Sequence, residues 1–460
     1  MIIKSKQETK TQSRPREDKW NWVEESIWTD TMLSALVNGV KGKKWFSLID
    51  KVYKSETLAK AWKKVKANKG SRGVDNMTIE IFQTNAEKYI QELEQQLKLG
   101  IYQPQAIKRV LIPKGDGKTR PLGIPSIKDR IVQTSIKMVI EPIFEQEFLP
   151  TSYGFRPGKD AKQALKVVDQ LIQDGYTWVV DADLQSYFDT IPHEDLMKDI
   201  QERISDGKVL DLIKAFLNQE IMEETKTWNP ILGASQGSAL SPLLANIYLH
   251  PLDSLMQKAG YKIVRYADDF VILCKSEIEA RQALKSIQEW VAKRGLTLHP
   301  DKTHIGNCVE EGQGFEFLGY RFEANRKYTR KKSFDKFKDA IRSKTSRSCG
   351  KSIGKVIKEL TPIIRGWYNY FKHAHKTTFP YIDGFIRRRL RAILCAQNKN
   401  SSFGRSLEAN KKWPNKYFAN LGLFTMETQR ANEIIGSRPG TSPERSHGSV
   451  RETLASYGSS

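Results

Sequence analysis

Along the first hundred residues, apolar side chains return at helical spacing. Trp22, Ile27, Leu33, Leu36 and Val40 mark helix between Trp20 and about Leu48, and residues 57–67 form a second helical stretch. Phe82, Ala86, Tyr89, Ile90, Leu93 and Leu97 make an i, i+3/i+4 stripe that Gly100 stops. Between these stretches, Lys69-Gly70-Ser71-Arg72-Gly73-Val74-Asp75 reads as a basic, Gly-rich turn. Strands and helices then alternate to about Phe322, a mixed α/β pattern. Two short strands flank the tight turn Gly115-Asp116-Gly117. Two further apolar stretches carry acids. One is Trp178-Val179-Val180-Asp181-Ala182-Asp183; the other sets Tyr266-Ala267-Asp268-Asp269 between Ile263-Val264 and Val271-Ile272-Leu273, as the centre of one strand-like run.

Carboxylates inside an apolar run are costly to bury unless cations neutralise them. Two strands can bring Asp183 beside Asp268 although the two are far apart in sequence. Two Mg²⁺ ions about 3.5–4 Å apart need such a cluster, one activating an attacking 3′-hydroxyl and one steadying the leaving pyrophosphate. Alone, Asp183 would read as a strand-end cap; paired with Tyr266-Ala267-Asp268-Asp269 it reads as a metal ligand. Lys114 and Arg120 flank the Gly115–Gly117 turn. Such a hairpin can fold over a triphosphate, Arg through forked hydrogen bonds and Lys as a point charge; the alternative is a solvated basic hairpin.

The ordered blocks resemble a reverse transcriptase of the bacterial group II intron type. They run from Lys108–Lys114 and Thr119–Pro125 through the Asp183 block to Gly233-Ala234-Ser235-Gln236-Gly237-Ser238 and Leu240–Asn246. The Asp268 block, Gly295–Thr303 and Phe317-Leu318-Gly319-Tyr320 complete the series, which spans about half the chain. The resemblance implies an α+β right-hand polymerase, with an antiparallel palm sheet, followed by a helical thumb or maturase domain X. It implies catalytic, metal-holding Asp183, Asp268 and Asp269, two Mg²⁺ ions with Mn²⁺ as a substitute, and a nucleotide pocket of Lys114, Arg120, Phe188, Gln236 and Lys302. Phe188 would exclude a 2′-hydroxyl, and Lys302 would assist pyrophosphate departure. The bland alternatives are core packing for Phe188 and a surface position for Lys302.

Polar composition makes residues 1–19 a disordered basic tail, and a run rich in Ser, Gly, Pro and Arg makes 436–460 a disordered tail. By the same resemblance, residues 20–100 are the N-terminal extension and start of the fingers, 101–322 fingers and palm, 323–400 the thumb or domain X, and 401–435 a small DNA-binding region. Candidate RNA contacts are Lys69, Arg72, Arg365, Arg387, Arg388, Arg389 and Arg391, while part of the Trp367–Phe371 cluster reads as core. The implied partners are group II intron RNA, an RNA template with a DNA primer, target DNA and dNTPs. No Cys/His pattern of an endonuclease domain follows, so another primer source is expected.

Charge agrees with these partners. The net charge is +22, with 11 Lys/Arg against 3 Asp/Glu in residues 321–350, which points to a polyanion. No segment approaches 18 uninterrupted apolar residues, so no membrane span is expected. The four cysteines lack CxxC spacing, and the N-terminus lacks an apolar signal region; a cytoplasmic, nucleoid-associated bacterial protein is expected. His299 and His304, and His373 and His375, have no acidic or Cys partners at ligand spacing and read as packing or RNA-contact residues. Two rivals remain. One is a splicing-only RNA-binding maturase, disfavoured by the acid trio with Gln236 and Lys302; the other is a reverse transcriptase of a defence or CRISPR system, disfavoured by the domain X match.

Overall fold

The computed structural model describes residues 18–115, 117–400 and 402–436. Apart from their inner ends, the two tails lie outside the described residues, as does Asp116 of the expected turn. The chain divides into two compact units, Met1–Val309 and Glu310–Ser460.

In the first unit, the stretch 20–48 holds one α-helix, Asp30–Asn38, rather than helix throughout. The Thr29 hydroxyl accepts from the Met32 amide at its start, and Gly39, at φ 86°, breaks it. Its aromatic flanks still serve the core: Trp28 is fully buried, packs edge-on against Trp45 and donates to the Val139 carbonyl. The stripe from Phe82 to Leu97 is split between helices Ile79–Thr84 and Ala86–Leu99, because Asn85 leaves helical geometry at φ −127°. Gly100 ends the second helix in the left-handed region, donating to Gln96 and Leu97.

Strands β1 (Ile107–Gly115) and β2 (Lys118–Ile124) form the basic hairpin, and helix Ile127–Glu145 follows as a largely buried spine capped by Ser126. Then come β3 (Trp178–Asp183), β4 (Ile221–Glu223) and β5 (Lys226–Trp228); β4 pairs parallel to β1, so β2-β1-β4-β5 makes one sheet. Strands β6 (Lys262–Tyr266), β7 (Asp269–Cys274) and β8 (His304–Asn307) join β3 in an antiparallel sheet of order β6-β7-β3-β8. Helix Glu277–Lys293 packs on β3 and β7, and Val180, Ala182, Phe270 and Ile272 are buried in this core.

In the second unit, β9 (Phe315–Phe317), β10 (Tyr320–Glu323) and β11 (Arg326–Thr329) form an antiparallel meander. This unit begins at Glu310 and takes in β9 and β10, which pair with each other. Helices Lys331–Lys344, Ile353–Phe371 and Thr378–Gln397 follow, with Trp367 stacked on Phe337 at 4.6 Å. The short helices Leu407–Lys412, Asn415–Asn420 and Met426–Gly436 lie in this same unit. The buried Asp383 carboxylate accepts from the Met426 and Glu427 amides, and Arg430 donates to the Lys372 and Ala374 carbonyls. No helix among the described residues is long and apolar enough to cross a membrane.

Candidate active site

The expected acid-bearing run 263–273 is two strands, not one. Tyr266 pairs directly with Asp269, leaving Ala267 and Asp268 as a two-residue hairpin turn. Ala267 sits at φ 60°, a conformation few non-Gly residues adopt. On the other side of β7, Asp183 is the register partner of Asp269, and directly opposed residues share one face of a sheet. Two sequence-distant acids thus meet by strand pairing, and Asp268 lies on the adjoining turn.

Lys302 reaches this point through a local crossing. The His299 amide donates to the Asp183 carbonyl and the Gln185 amide to the Thr297 carbonyl, which lays 297–299 beside the end of β3. The Lys302 Nζ then pairs with Asp183 Oδ2 at 2.5 Å. Among the described residues, no three of His, Cys, Asp and Glu stand together at metal-holding spacing. Asp183 is instead paired with the ammonium of Lys302. The candidate donors are all hard carboxylate oxygens, carried on two paired strands and the adjoining turn, and the Asp183 side chain is 36% exposed. That chemistry suits Mg²⁺ or Mn²⁺.

The nucleotide-side residues are tied to this sheet by backbone. Ser186, at φ 48°, turns the chain after β3, and Tyr187 is buried with its hydroxyl donating to the Ala245 carbonyl. Burial is the main reason the Tyr187 phenol is pushed well above its ordinary range. Anchored this way, Phe188 is half-buried, and its carbonyl accepts from the Ala234 amide at 2.7 Å. The Gly123 amide donates to the Gln236 carbonyl at 2.6 Å. A side chain at Gly237, φ 113°, would strike the Gly123 carbonyl, so only glycine permits this approach. The Gln236 loop is therefore fastened to β2, the strand that carries an exposed Arg120 opposite Ile112. Lys114 lies on β1, and its side chain is outside the described part of the structure.

The expected RNA contacts divide. Lys69 and Arg72 are exposed on a turn that Arg130 secures by donating to the Ser71 and Pro125 carbonyls. Arg365 is exposed, with its guanidinium over Phe424, while Arg387 and Arg388 are half-buried. Arg389 and Arg391 do structural work instead. Arg389 donates to the Thr345 hydroxyl and to the Thr345 and Arg342 carbonyls, satisfying the open end of helix Lys331–Lys344. Arg391 is buried, bonded to the Trp413 carbonyl and Asn415.

Sequence reasoning missed the support behind the acid turn. Arg265, fully buried, donates Nε and Nη2 to Asp253 and Nη1 to Asn246 and the Ala267 carbonyl. Burial alone would lower its pKa, but the Asp253 carboxylate outweighs burial and raises it. The one signal available was a cation, Arg265, set within the apolar β6 stretch. Its partners twelve and nineteen residues upstream leave no pattern a reader could pair.

Comparison with known proteins closes the question of family. The description "Reverse transcriptase (RNA-dependent DNA polymerase)" matches residues 112–322, and "Group II intron, maturase-specific domain" matches residues 334–413. Protein YkfC of Escherichia coli (strain K12) is 34% identical over 317 residues, covering 60% of this chain and 82% of its own. Group II intron-encoded protein LtrA of Lactococcus lactis subsp. cremoris is 36% identical over 208 residues, covering 45% of this chain but only 34% of that relative. A solved partial Cas6-RT-Cas1–Cas2 complex aligns over 54% of this chain and 41% of that chain, at 27% identity and a TM-score of 0.36. A polymerase domain followed by a maturase-specific domain, in one chain and in that order, makes this protein a member of the group II intron-encoded reverse transcriptases, a family of RNA-directed DNA polymerases that use divalent metal ions.

Proposed function

We propose that this chain extends a DNA primer along an RNA template, and that it binds its parent intron RNA to promote splicing and mobility. The observation that carries the first part is the direct opposition of Asp183 and Asp269 across β3 and β7, with Asp268 on the turn between β6 and β7. These three carboxylates would hold two Mg²⁺ ions. Bound there, the ions supply Lewis acidity to the primer 3′-hydroxyl and the α-phosphate of the dNTP. The rest is done by the chain's own side chains. Lys302, beside Asp183, is placed to release its carboxylate partner and donate a proton toward the departing pyrophosphate. Arg120 and Lys114 on the basic hairpin would grip the triphosphate, and the backbone bond from Gly123 to Gln236 couples that grip to the pocket. Phe188 would stand under the sugar and exclude a 2′-hydroxyl. In the second unit, Arg365, Arg387 and Arg388 are the arginines left to meet intron RNA, with Lys69 and Arg72 serving the first unit. Target DNA as a partner and a bacterial cytoplasmic, nucleoid-associated setting belong to the same proposal.

The test is dNTP incorporation on a primed RNA template with Mg²⁺, beside an Asp268→Ala control. Template-dependent cDNA that disappears in the control supports the reading. Tight, salt-sensitive binding of structured RNA with no incorporation would replace it with a splicing-only maturase.

A further inference from the structure

The turn that carries Asp268 does not hold itself. A two-residue turn with an alanine at φ 60° is strained, and strain of this kind persists only where the surroundings over-determine it. Here the surroundings are a closed set of contacts from three segments. Asn246, on helix Ser241–Lys258, accepts from Arg265 at 2.8 Å and donates its amide to the Gly154 carbonyl, also at 2.8 Å. Arg265 donates to the Ala267 carbonyl at 2.9 Å, fixing the first turn residue from inside. The Tyr153 amide donates to the Arg265 carbonyl and the Arg265 amide to the Thr151 carbonyl, so the loop before Gly154 runs along β6 as an extra edge. Gly154 then lies flat on the turn. A Cβ there would land on the Ala267 amide nitrogen and come within 2.8 Å of the Tyr266 carbonyl carbon. The loop is itself pinned, because buried Arg156 pairs with Glu145 and donates to the Leu149 and Ser152 carbonyls.

We propose that Gly154, Asn246 and Arg265 form a socket that sets the position of Asp268, acting as positioning residues for metal binding. The proposal rests on the assignment of Asp268 to the metal site. None of the three touches substrate in this account. Gly154 acts by leaving room, Asn246 by bridging loop and guanidinium, and Arg265 by holding the Ala267 carbonyl. Fold stability and turn placement are separable, because Gly154 and Asn246 are not partners in the buried Arg265–Asp253 ion pair and changing them removes neither charge.

The experiment compares full-length wild type with Gly154→Ala and Asn246→Ala. Mn²⁺ affinity is read by electron paramagnetic resonance without nucleotide, and kcat and KM for dNTP are measured on a primed RNA template below each variant's melting temperature. The expected result is Mn²⁺ affinity weakened at least 5-fold and kcat lowered at least 10-fold. KM for dNTP and affinity for primer–template should stay within 2-fold. Wild-type Mn²⁺ affinity in folded variants overturns the proposal, and so does a kcat loss that only follows the folded fraction. If wild type binds Mn²⁺ through Asp268 yet incorporates no dNTP, the polymerase reading fails while the socket is still judged by Mn²⁺ affinity.

Discussion

Asp253→Ala is the sharpest perturbation of the first unit. Asp253 and Arg265 are both fully buried and bonded through two parallel contacts, Nε to Oδ1 at 2.8 Å and Nη2 to Oδ2 at 2.5 Å. Removing the carboxylate leaves a fully buried guanidinium without its hydrogen-bonded counter-charge, and only the through-space attraction of Asp268 remains. Breaking such a pair costs on the order of 3–5 kcal/mol, far above the ~0–1 kcal/mol of an exposed pair. For a unit of this size that loss is a fall in Tm of roughly 5–8 °C. Replacing both partners with apolar residues, Asp253→Leu with Arg265→Met, removes the unpaired charge along with the pair, and should recover most of that loss. It should not recover polymerisation, since Ala267 then has no guanidinium on its carbonyl. Urea unfolding of the wild type, Asp253→Leu, Arg265→Met and the double variant gives the coupling energy. A single-variant loss below about 1 kcal/mol would refute the reasoning, because it would mean the pair is hydrated or the guanidinium finds another anion.

Five further outcomes are expected. Lys302→Ala should change stability by less than about 1 kcal/mol, because its side chain is 55% exposed, while lowering the single-turnover rate of incorporation by about 10²-fold. Phe188→Ala should lower the preference for dNTP over NTP at least 10-fold, read as the ratio of kcat/KM values. Arg391→Ala should destabilise the second unit by roughly 2–4 kcal/mol by leaving the Trp413 carbonyl and Asn415 unpartnered. Arg388→Ala should leave its melting unchanged and reduce the salt dependence of RNA binding by about one phosphate contact. Burial pushes the Asp129 carboxyl up from about 3.8 to about 6, against hydrogen bonds from Tyr102, Gln105 and Gln219. Its folded-state pKa lies above the unfolded value, so this stabilisation is full below pH 4 and lost as pH rises to 6. Relative to Asp129→Asn, wild type should therefore lose about 3 kcal/mol of unfolding free energy across that window.

What could be read from the chain was the chemistry carried by adjacent residues. The Asp183 and Tyr266–Asp269 blocks, Gln236 beside Gly237, and the basic hairpin all declare themselves locally, and strand register sets Asp183 opposite Asp269. Boundaries were less legible. Periodicity alone ran one helix through Asn85 and one strand through Ala267-Asp268, since neither break changes the apolar spacing around it. Charge was the weakest guide. Arg387, Arg388, Arg389 and Arg391 look alike in sequence, yet only the helix end at Thr345 and the carbonyl of Trp413 decide which of them are consumed internally. The same limit hid Arg265, whose meaning depends on Asp253 and Asn246 arriving from another helix.

The central claim is that Asp183, Asp268 and Asp269 together carry polymerisation. Single-turnover extension of a primed RNA template by wild type and by Asp183→Asn, Asp268→Asn and Asp269→Asn tests it most directly. Wild type should yield cDNA, and Asp183→Asn and Asp268→Asn should lower the rate at least 10³-fold with primer–template binding intact, with a smaller loss for Asp269→Asn. Extension by Asp183→Asn or Asp268→Asn within 10-fold of wild type would contradict it.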